Sequence, residues 1–496
     1  MSATPYAQST SPGMAPLRLL AAQALSRTAG APLIAGNSVE LLIDAERNFA
    51  EWRKAILEAR SSILFENYIF RDDEVARGLR DALVERAADG VAVYVVRDWL
   101  GCLGQSSPSF WKPLLDAGGE VRTYNVPRFG SPLGWLSRDH RKLLVVDAAV
   151  AFLGGICVSS KWLGDPQRNV PPWRDTGVAV RGPALRDLCA SFAATWSSLG
   201  SPLPETQLAG TEDIGPAGNI DLRVVATVPN AAGLYRLDQM IAAMAECRLW
   251  LTDAYFVGVT TYLQALSSAA RDGVDVRLLV PGTSDIPAIG GLSRAGYRPL
   301  LEAGVRVFEW NGSMLHAKTA VADGRWARVG SSNLNLASWI GNRELDIAVE
   351  NEEFAGTLER QYELDLENAT EIVLAPRSRV CREKPHADGR RRRNGGSTGR
   401  AAAGALRFAN TMGAAITNRR TLGPAETATL GTGALVLATC GLLVLVWPRL
   451  IAWPLGALAL WFAVVMFRRY WTTRSRNASG RSEDPSTEGH ESDGRP

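Results

Sequence analysis

Two long stretches of the chain share one order of apolar and polar positions. Each begins with an apolar segment that predicts a buried strand, continues with a helically spaced segment, and reaches a second apolar strand after an Asp-Gly turn. The first copy spans residues 62–70, 74–88 and 91–96, and the second spans residues 248–256, 260–271 and 274–280. The pattern therefore indicates an internal duplication.

Strand–helix–strand order with buried strands predicts a mixed sheet covered by helices in each half. A repeat of about 180 residues is too long for a solenoid, whose units are much shorter. We therefore expect an α/β fold of two duplicated domains related by a pseudo-two-fold axis. The expected order is an N-terminal extension at residues 1–37, a first domain at 38–205 and a second domain at 215–375.

The C-terminal part has a different pattern. A basic linker at residues 376–427 precedes two uncharged apolar runs at 428–447 and 450–467. Runs of this length cross a bilayer core as helices, so they predict a transmembrane helical hairpin at 428–467, with a buried soluble hairpin as the alternative. Arginines flank both outer ends, which predicts that both ends of the hairpin, and with them the folded domains, lie on the cytoplasmic side of the membrane. Residues 468–496 are first basic and then of disordered composition.

Composition narrows the possible chemistry. The net charge of +3 says little about partners, and the six cysteines form neither a C-x-x-C pair nor a cluster with histidine. This distribution argues against a zinc site or a disulfide framework and fits a reducing compartment. Of four histidines, two lie in the linker and the tail. The other two, His140 and His316, are each followed two residues later by a lysine, although the chain has only six lysines.

Each of these histidines opens a His-x-Lys-x4-Asp motif. The first copy consists of His140, Lys142 and Asp147, and the second of His316, Lys318 and Asp323. Because side chains two residues apart on a strand point the same way, each histidine is expected to project beside its lysine. The aspartate can fix the turn that follows the strand or pair with nearby basic groups. The glycines and serine that follow, at 154–155 and 330–331, allow the backbone to approach a bound anion.

Paired imidazoles and ammonium groups match the needs of phosphodiester cleavage without a metal. One neutral imidazole attacks phosphorus, a second protonates the departing oxygen, and fixed cations hold the non-bridging oxygens. Each half supplies one imidazole and one ammonium, so the two halves together supply the complete set. The alternative, an ordinary pair of strand residues, is disfavoured because the motif occurs twice on duplicated halves.

The paired motifs and their flanks resemble the phospholipase D superfamily, and in particular its bacterial cardiolipin synthase branch. The flanking segments are ENYIFRDD at 66–73, WRDT at 173–176, TDAYF at 252–256 and NREL at 342–345. The resemblance covers roughly residues 38–370 and implies two phospholipase D-like α/β domains.

The resemblance also implies residue roles. His140 would form the phosphohistidine and His316 would be the general acid. Asp175 and Glu344 would orient the imidazoles, and Asn333 would bind phosphate. Ser331 is expected to support the same site. Cys157 stands where an asparagine is usual in the first copy, while Glu66 and Asp253 allow either a supporting or a structural role.

The expected function is transfer of a phosphatidyl group to the glycerol hydroxyl of phosphatidylglycerol, without a cofactor or metal. Anionic phospholipids and the membrane are the expected partners, because basic segments are attracted to anionic lipid surfaces. Hydrolysis of phospholipids to phosphatidic acid is the main alternative. A membrane-tethered nuclease and an inactive scaffold are further alternatives, although no nucleic acid partner is expected.

Overall fold

The computed structural model describes residues 14–127, 137–207 and 211–374, together with 419–421 and isolated positions between 453 and 467. Helices and strands alternate through both halves of this region. The elements of the first half are α1 (Met14–Ala29), β1 (Ile34–Ile43), α2 (Asp44–Glu58), β2 (Ser62–Asn67), α3 (Glu74–Ala88), β3 (Ala92–Asp98), α4 (Lys112–Asp116), β4 (Glu120–Tyr124), β5 (Lys142–Val146), β6 (Val150–Gly154), β7 (Thr176–Arg181) and α5 (Leu185–Ser198).

The second half continues the alternation. Its elements are β8 (Ile220–Thr227), α6 (Gly233–Met244), β9 (Arg248–Thr252), α7 (Thr260–Arg271), β10 (Asp275–Pro281), α8 (Pro287–Ala295), α9 (Tyr297–Glu302), β11 (Arg306–Trp310), β12 (Thr319–Ala322), β13 (Trp326–Gly330), β14 (Glu344–Glu350), α10 (Glu352–Glu367), β15 (Ala369–Val373) and β16 (Arg419–Thr421). The expected α/β class with mixed sheets is confirmed.

The two halves have the same strand order. Hydrogen bonds connect the first half as β4-β3-β2-β5-β6-β7-β1 and the second as β11-β10-β9-β12-β13-β14-β8, with β15 and β16 added beside β11. In each half three parallel strands adjoin four antiparallel ones. The series meet where β1 pairs with β8 at their N-terminal ends, Ile34 opposite Leu222.

One hydrophobic cluster belongs to both halves. It joins Leu153 and Val178 of the first half to Val329 and Ile347 of the second, together with residues of α5 and α10. Separate clusters lie under α2 and α3 in the first half and under α6 and α7 in the second. The faces that meet are therefore apolar, and burial of this shared surface holds the halves against each other.

The element boundaries agree closely for helices and less closely for strands. The helices predicted at 74–88 and 260–271 are confirmed as α3 and α7. The strands predicted at 62–70 and 248–256 end earlier, at Asn67 and Thr252. α1 lies within the segment expected to be an extension, and β1 begins at Ile34, before the expected start of the first domain.

The predicted C-terminal segments at 376–427, 428–467 and 468–496 lie outside the described residues, apart from 419–421 and the isolated positions. Among the helices that the structure describes, none combines enough length and apolar character to cross a bilayer. The transmembrane hairpin therefore stays a prediction.

Candidate active site

The two motifs occupy equivalent positions in the two halves. Lys142 is the first residue of β5, and Lys318 immediately precedes β12. Both lysines and their histidines are buried, with exposed fractions of 8% or less. The Lys142 Nζ donates a hydrogen bond to the carbonyl oxygen of His140 at 2.6 Å, and Lys318 makes the equivalent bond to His316. Each ammonium is therefore fixed beside its own histidine.

Main-chain hydrogen bonds bring the motifs together. The His140 N–H donates to the Arg343 carbonyl at 2.9 Å, and the His316 N–H donates to the Arg174 carbonyl at 2.7 Å. Each acceptor lies just before the β14 or β7 strand of the opposite half. The segment that enters one motif is thus anchored to the other half.

The carboxylates beside the imidazoles also come from the opposite half. Glu344 Oε2 lies 2.9 Å from His140 Nδ1, and Asp175 Oδ2 lies 2.7 Å from His316 Nδ1. An ionised carboxylate can only accept, so each Nδ1 carries the hydrogen and donates it. Each Nε2 is consequently left with a free lone pair. Among the described residues, each His–carboxylate pair thus takes one member from each half.

Burial controls the protonation of these groups. It lowers the pKa of His140 to about 4, against the opposing effect of Glu344, and lowers that of His316 to about 4, assisted by Lys318. Burial opposes ionisation of Asp175, but His316 and Lys318 outweigh it and lower its pKa to about 2. Both imidazoles are therefore neutral near pH 7.

The charges of the two halves act on each other. Burial also lowers the pKa of Lys318 to about 8, with Lys142 among the groups that lower it further. Lys142 likewise lowers the pKa of His316, and Lys318 lowers that of His140. The two motifs thus form one cationic site in which an anion relieves the repulsion between the lysines.

The two carboxylates are held by different neighbours. Ser331 Oγ donates to Glu344 Oε2 at 2.6 Å, and Asn342 Nδ2 donates to Glu344 Oε1 at 3.2 Å. For Asp175, the donors are the Trp162 indole at 2.8 Å and a main-chain N–H at 2.8 Å. The two half-sites therefore share a plan but differ in their supporting residues.

Aromatic rings form the walls around the imidazoles. Tyr68 contacts His140 with ring centroids 4.8 Å apart. Tyr255, Trp162 and Trp173 surround His316 at 5.7, 5.2 and 5.7 Å. Such rings limit the access of water and strengthen the electrostatic interactions within the site. The wall around His316 is the larger of the two.

The arrangement offers two nucleophilic or basic nitrogens and two cations around one space. In the part of the chain that the structure describes, no group of three His, Cys, Asp or Glu side chains is placed to hold a metal ion.

Comparison with known proteins identifies the family. A family model described as "Cardiolipin synthase, PLD-like domain" matches residues 238–366. Cardiolipin synthase A of Pseudomonas fluorescens (strain SBW25) is 33% identical over 361 residues, which cover 71% of this chain and 73% of that protein. Cardiolipin synthase A of Pseudomonas aeruginosa (strain LESB58) is 35% identical over 370 residues, with 73% of each chain covered. The chain belongs to the cardiolipin synthase family.

A solved structure supports the fold of this family member. The phosphatidylserine synthase of Haemophilus influenzae Rd KW20 matches with a TM-score of 0.56 and 13% identity, covering 70% of this chain and 91% of that one. At this identity the likeness concerns the fold alone. The predicted relation to the phospholipase D superfamily and its cardiolipin synthase branch is confirmed by the family model and the relatives.

Most of the residues predicted for the site lie together in this family member. The structure brings together His140, Lys142, His316 and Lys318 with Asp175, Glu344 and Ser331. It separates the motif aspartates from them. Asp147 and Asp323 lie at the far ends of β5 and β12, and their grouping with the catalytic residues stays a prediction.

The motif aspartates instead hold main-chain segments. Asp147 accepts hydrogen bonds from the N–H groups of Arg60, Ser61 and Ser62 at 2.8–2.9 Å. Asp323 accepts three equivalent bonds from residues 246–248. Both aspartates adopt a positive φ, 54° and 51°. They fix the turns after the motif strands and the starts of β2 and β9, as one of the expected roles allowed.

Asn333 and Cys157 occupy matching positions, as the motif alignment predicts. Asn333 is 4% exposed, and its Oδ1 has no hydrogen-bond partner among the described residues. Cys157 is 1% exposed, and burial raises the pKa of its thiol, so it is packed as a neutral side chain. Only the second copy therefore provides a carboxamide at this position.

The acidic residues of the first strands differ between halves. Asp253 accepts hydrogen bonds from the N–H groups of Leu334 and Tyr255 at 2.9 and 3.2 Å, which indicates a structural role. Both carboxylate oxygens of Glu66 are buried, and the Asp139 carboxyl lies within hydrogen-bonding distance of them. Burial and the proximity of Glu66 raise the pKa of Asp139. These two carboxyl groups therefore lie together beside the start of the first motif.

Sequence reasoning missed several supporting residues. Trp162 and Asn342 contact the carboxylates directly but belong to no motif. Arg174 was noted only as part of a flanking segment, yet its guanidinium makes two bonds to the Asp365 carboxylate at 2.8 and 2.9 Å. Arg174 and Asn342 could have been predicted as supporting residues only because they lie within the flanking segments that resemble the family.

Proposed function

We propose that this protein is a phosphatidyltransferase that forms cardiolipin from phosphatidylglycerol through a phosphohistidine. The observation that carries the proposal is the crossed pair of His–carboxylate contacts beside two buried lysines, in a member of the cardiolipin synthase family. The relatives carry the name cardiolipin synthase A, which supports this substrate class.

In the first step, His140 acts as the nucleophile. Its Nε2 attacks the phosphorus of a donor phosphatidylglycerol, and the bond from phosphorus to the headgroup oxygen breaks. Lys142 and Lys318 hold the non-bridging oxygens, and Asn333 adds a hydrogen bond to them. The bound phosphate anion raises the pKa of His316, so His316 Nε2 takes up a proton from solvent as the donor binds and delivers it to the departing glycerol oxygen.

In the second step, a hydroxyl of a second phosphatidylglycerol replaces the departed glycerol. Neutral His316 takes the hydroxyl proton while the oxygen attacks phosphorus. The bond from phosphorus to His140 Nε2 breaks, and cardiolipin leaves. Glu344 and Asp175 keep the hydrogen on Nδ1 of each imidazole throughout, so that Nε2 remains the reacting nitrogen.

The distribution of exposed apolar side chains supports a lipid substrate. Within the described part of residues 14–374, eight large exposed apolar side chains lie in segments that follow β3, β4, β6, β8, β10 and β13 along the chain. They are Leu103, Val126, Val170, Val228, Ile286, Leu292, Leu336 and Ile340. Apolar groups around a site entrance favour contact with a membrane surface.

The proposed protein consists of two catalytic domains and a membrane anchor. The repeated strand order supports two duplicated phospholipase D-like domains at 38–205 and 215–375. The predicted transmembrane hairpin at 428–467 would hold these domains at the cytoplasmic face of a bacterial-type inner membrane. Anionic phospholipids in that face would be the substrates.

Mass spectrometry of lipid products tests the proposed function. Purified full-length protein in vesicles of phosphatidylglycerol should produce cardiolipin and free glycerol in equal amounts. Phosphatidic acid as the main product would identify water as the acceptor and replace transfer by hydrolysis. Loss of the product in both His140→Ala and His316→Ala is expected, because each half supplies one imidazole.

Trapping of the intermediate tests the separate roles of the histidines. Protein quenched during turnover should carry a phosphatidyl group on His140. The adduct should be absent from His140→Ala and should persist in His316→Ala, in which its resolution is slowed. An adduct on His316 would reverse the assignment.

A further inference from the structure

An ion pair connects the two halves at the side of the site that holds His316. Lys161 lies in the short 3₁₀ helix Ser160–Leu163 of the first half, and Asp285 precedes α8 of the second. The Lys161 Nζ lies 3.3 Å from Asp285 Oδ2. Their side chains are 43% and 26% exposed, so solvent and ligands can reach both.

Two aromatic rings place this ion pair next to His316. The Lys161 Nζ lies 4.4 Å from the ring centroid of Trp173, whose ring contacts His316. The Tyr255 hydroxyl donates to Asp285 Oδ1 at 2.8 Å, and the Tyr255 ring also contacts His316. One ring therefore separates each member of the pair from the imidazole.

The second half has no lysine at the position equivalent to Lys161, so the surroundings of His140 lack this side chain. The offset that aligns His140 with His316 aligns Lys161 with Ala337. Among the lysines that the structure describes, Lys161 lies outside the motifs and beside the site walls. On the His140 side the neighbouring cation is Arg138, which is hydrogen-bonded to Tyr68, so the two sides of the site carry different cations. Lys161 therefore belongs to the His316 side, where the acceptor hydroxyl reacts in the proposed mechanism.

We propose that Lys161 binds the phosphate of the acceptor phospholipid and thereby selects a lipid hydroxyl over water. This inference rests on the proposed function, in which the acceptor hydroxyl gives its proton to His316. In phosphatidylglycerol a single glycerol unit separates that hydroxyl from the lipid's own phosphate. A cation one ring away from His316 lies where this second phosphate would be held.

The Lys161–Asp285 pair suits an exchangeable contact. Exposed ion pairs contribute little to stability, because water screens their attraction and both side chains lose freedom. A phosphate can therefore replace Asp285 as the partner of Lys161 at small cost. Asp285 is a positioning residue that keeps the ammonium directed across the boundary between the halves, and Tyr255 fixes its carboxylate.

The phosphohistidine intermediate can react with two different acceptors. Comparing the two reactions distinguishes recognition of the acceptor from cleavage of the donor. Cardiolipin formation uses an acceptor with a phosphate, whereas exchange of labelled free glycerol into phosphatidylglycerol uses a neutral acceptor. Lys161→Gln should reduce cardiolipin formation about tenfold or more, because a charge-assisted hydrogen bond is lost, and should spare glycerol exchange. It should also raise the ratio of phosphatidic acid to cardiolipin.

Two further variants complete the test with full-length protein in phosphatidylglycerol vesicles. Lys161→Arg keeps the charge and should restore most of the cardiolipin formation. Lys112→Gln removes an exposed lysine that pairs with Asp116 on α4, and both reactions should stay unchanged.

Equal loss of both reactions in Lys161→Gln and Lys161→Arg would overturn the proposal in favour of a structural role. Unchanged cardiolipin formation in Lys161→Gln would overturn it as well. If the wild-type protein makes no cardiolipin from phosphatidylglycerol, the proposed function fails together with this inference. If the wild type makes it and the variant is unaffected, only the role of Lys161 fails.

Discussion

Gly155 and Ser331 occupy equivalent places after the two motifs but meet the carboxylates differently. Ser331 donates to Glu344, whereas a Cβ at Gly155 would lie 2.1 Å from Asp175 Oδ1. That distance is far shorter than any van der Waals contact. The space beside Asp175 therefore requires the absence of a side chain.

Gly155→Ala should impair catalysis by displacing Asp175 from His316. We expect kcat to fall about tenfold or more, since misplacement of a catalytic group by roughly 1 Å costs rates of this order. Steady-state kinetics of cardiolipin formation measures the effect. Gly78→Ala in α3 is the matched control, because a Cβ there meets open space. Equal activity of both variants would contradict the close packing at Asp175.

The depressed pKa values of the two histidines predict an effect of pH on stability. Unfolded histidines take up protons near pH 6.5, whereas the folded sites do so only near pH 4. The unfolded state binds more protons between these values, so this contribution to stability is present above about pH 6.5 and is lost as pH falls towards 4. Each histidine contributes a slope of about 1.4 kcal/mol per pH unit in that window.

Urea unfolding of the wild type and of His316→Asn at several pH values isolates this contribution. Buried acids such as Asp98, with a pKa raised to about 6 by burial, contribute with the opposite sign, so the comparison between proteins is required. The wild type should lose stability more steeply than His316→Asn as pH falls from 6.5 to 4. Parallel curves would show that His316 titrates normally.

At the residue scale, the sequence predicts which groups react but not which groups touch. His140, Lys142, His316 and Lys318 are identifiable because rare residue types recur at one spacing. The resemblance names Glu344 and Asp175 as orienting acids, but not which histidine each one contacts, because Glu344 lies 204 positions from His140 and local spacing contains no information about that contact. Trp162 has no recurring counterpart at all.

At the scale of the elements, the motif aspartates act as anchors of strands. The two carboxylate oxygens of Asp147 accept three main-chain N–H groups at the start of β2, and Asp323 does the same for β9. An asparagine in either place tolerates the positive φ but presents an NH₂ group to these donors.

Asp147→Asn and Asp323→Asn should each lower the free energy of unfolding by about 1–3 kcal/mol, the cost of leaving such donors unsatisfied. The kcat of the folded protein should change little. Asp72→Asn is the control, because that carboxylate pairs with Arg77 at the exposed surface. Loss of turnover at unchanged stability would instead assign the motif aspartates to the chemistry.

The pattern of apolar and polar positions predicts where the helices end better than where the strands end. α3 and α7 match their predicted bounds because helical spacing stops where an Asp-Gly turn begins. The predicted strand at 62–70 is longer than β2 because its apolar run continues past the sheet, where Phe70 forms an isolated bridge with Val158. Apolar residues there line the core beside the site rather than extend the strand.

At the scale of the whole molecule, the halves share one core and one active site. Arg141 is 1% exposed and donates to main-chain carbonyls of Ser191 in the first half and of Glu344 and Thr227 in the second. A buried guanidinium that joins both halves cannot be satisfied when one of them unfolds.

The described region should therefore unfold in a single transition. Scanning calorimetry should give equal calorimetric and van't Hoff enthalpies, as expected for two-state unfolding. Arg141→Met should lower the temperature of that transition without splitting it. Two resolved transitions in the wild type would show that the halves are independent units.

The sequence predicts the duplication at this scale, because the same pattern of elements recurs. It does not predict that the carboxylates cross, since a repeat describes each half by itself. The pairing of β1 with β8 and the shared cluster around Leu153 and Val329 arise only when the halves meet.

The crossed carboxylates have a consequence for the history of the chain. A single ancestral half would have carried its histidine on one subunit and needed the orienting acid of another, so it could react only as a symmetric homodimer. Fusion of the two copies then released each from the demand to be identical. Cys157 occupies the position equivalent to Asn333, and Lys161 the position equivalent to Ala337. A symmetric ancestor, in which both copies had the same sequence, could not have evolved such differences.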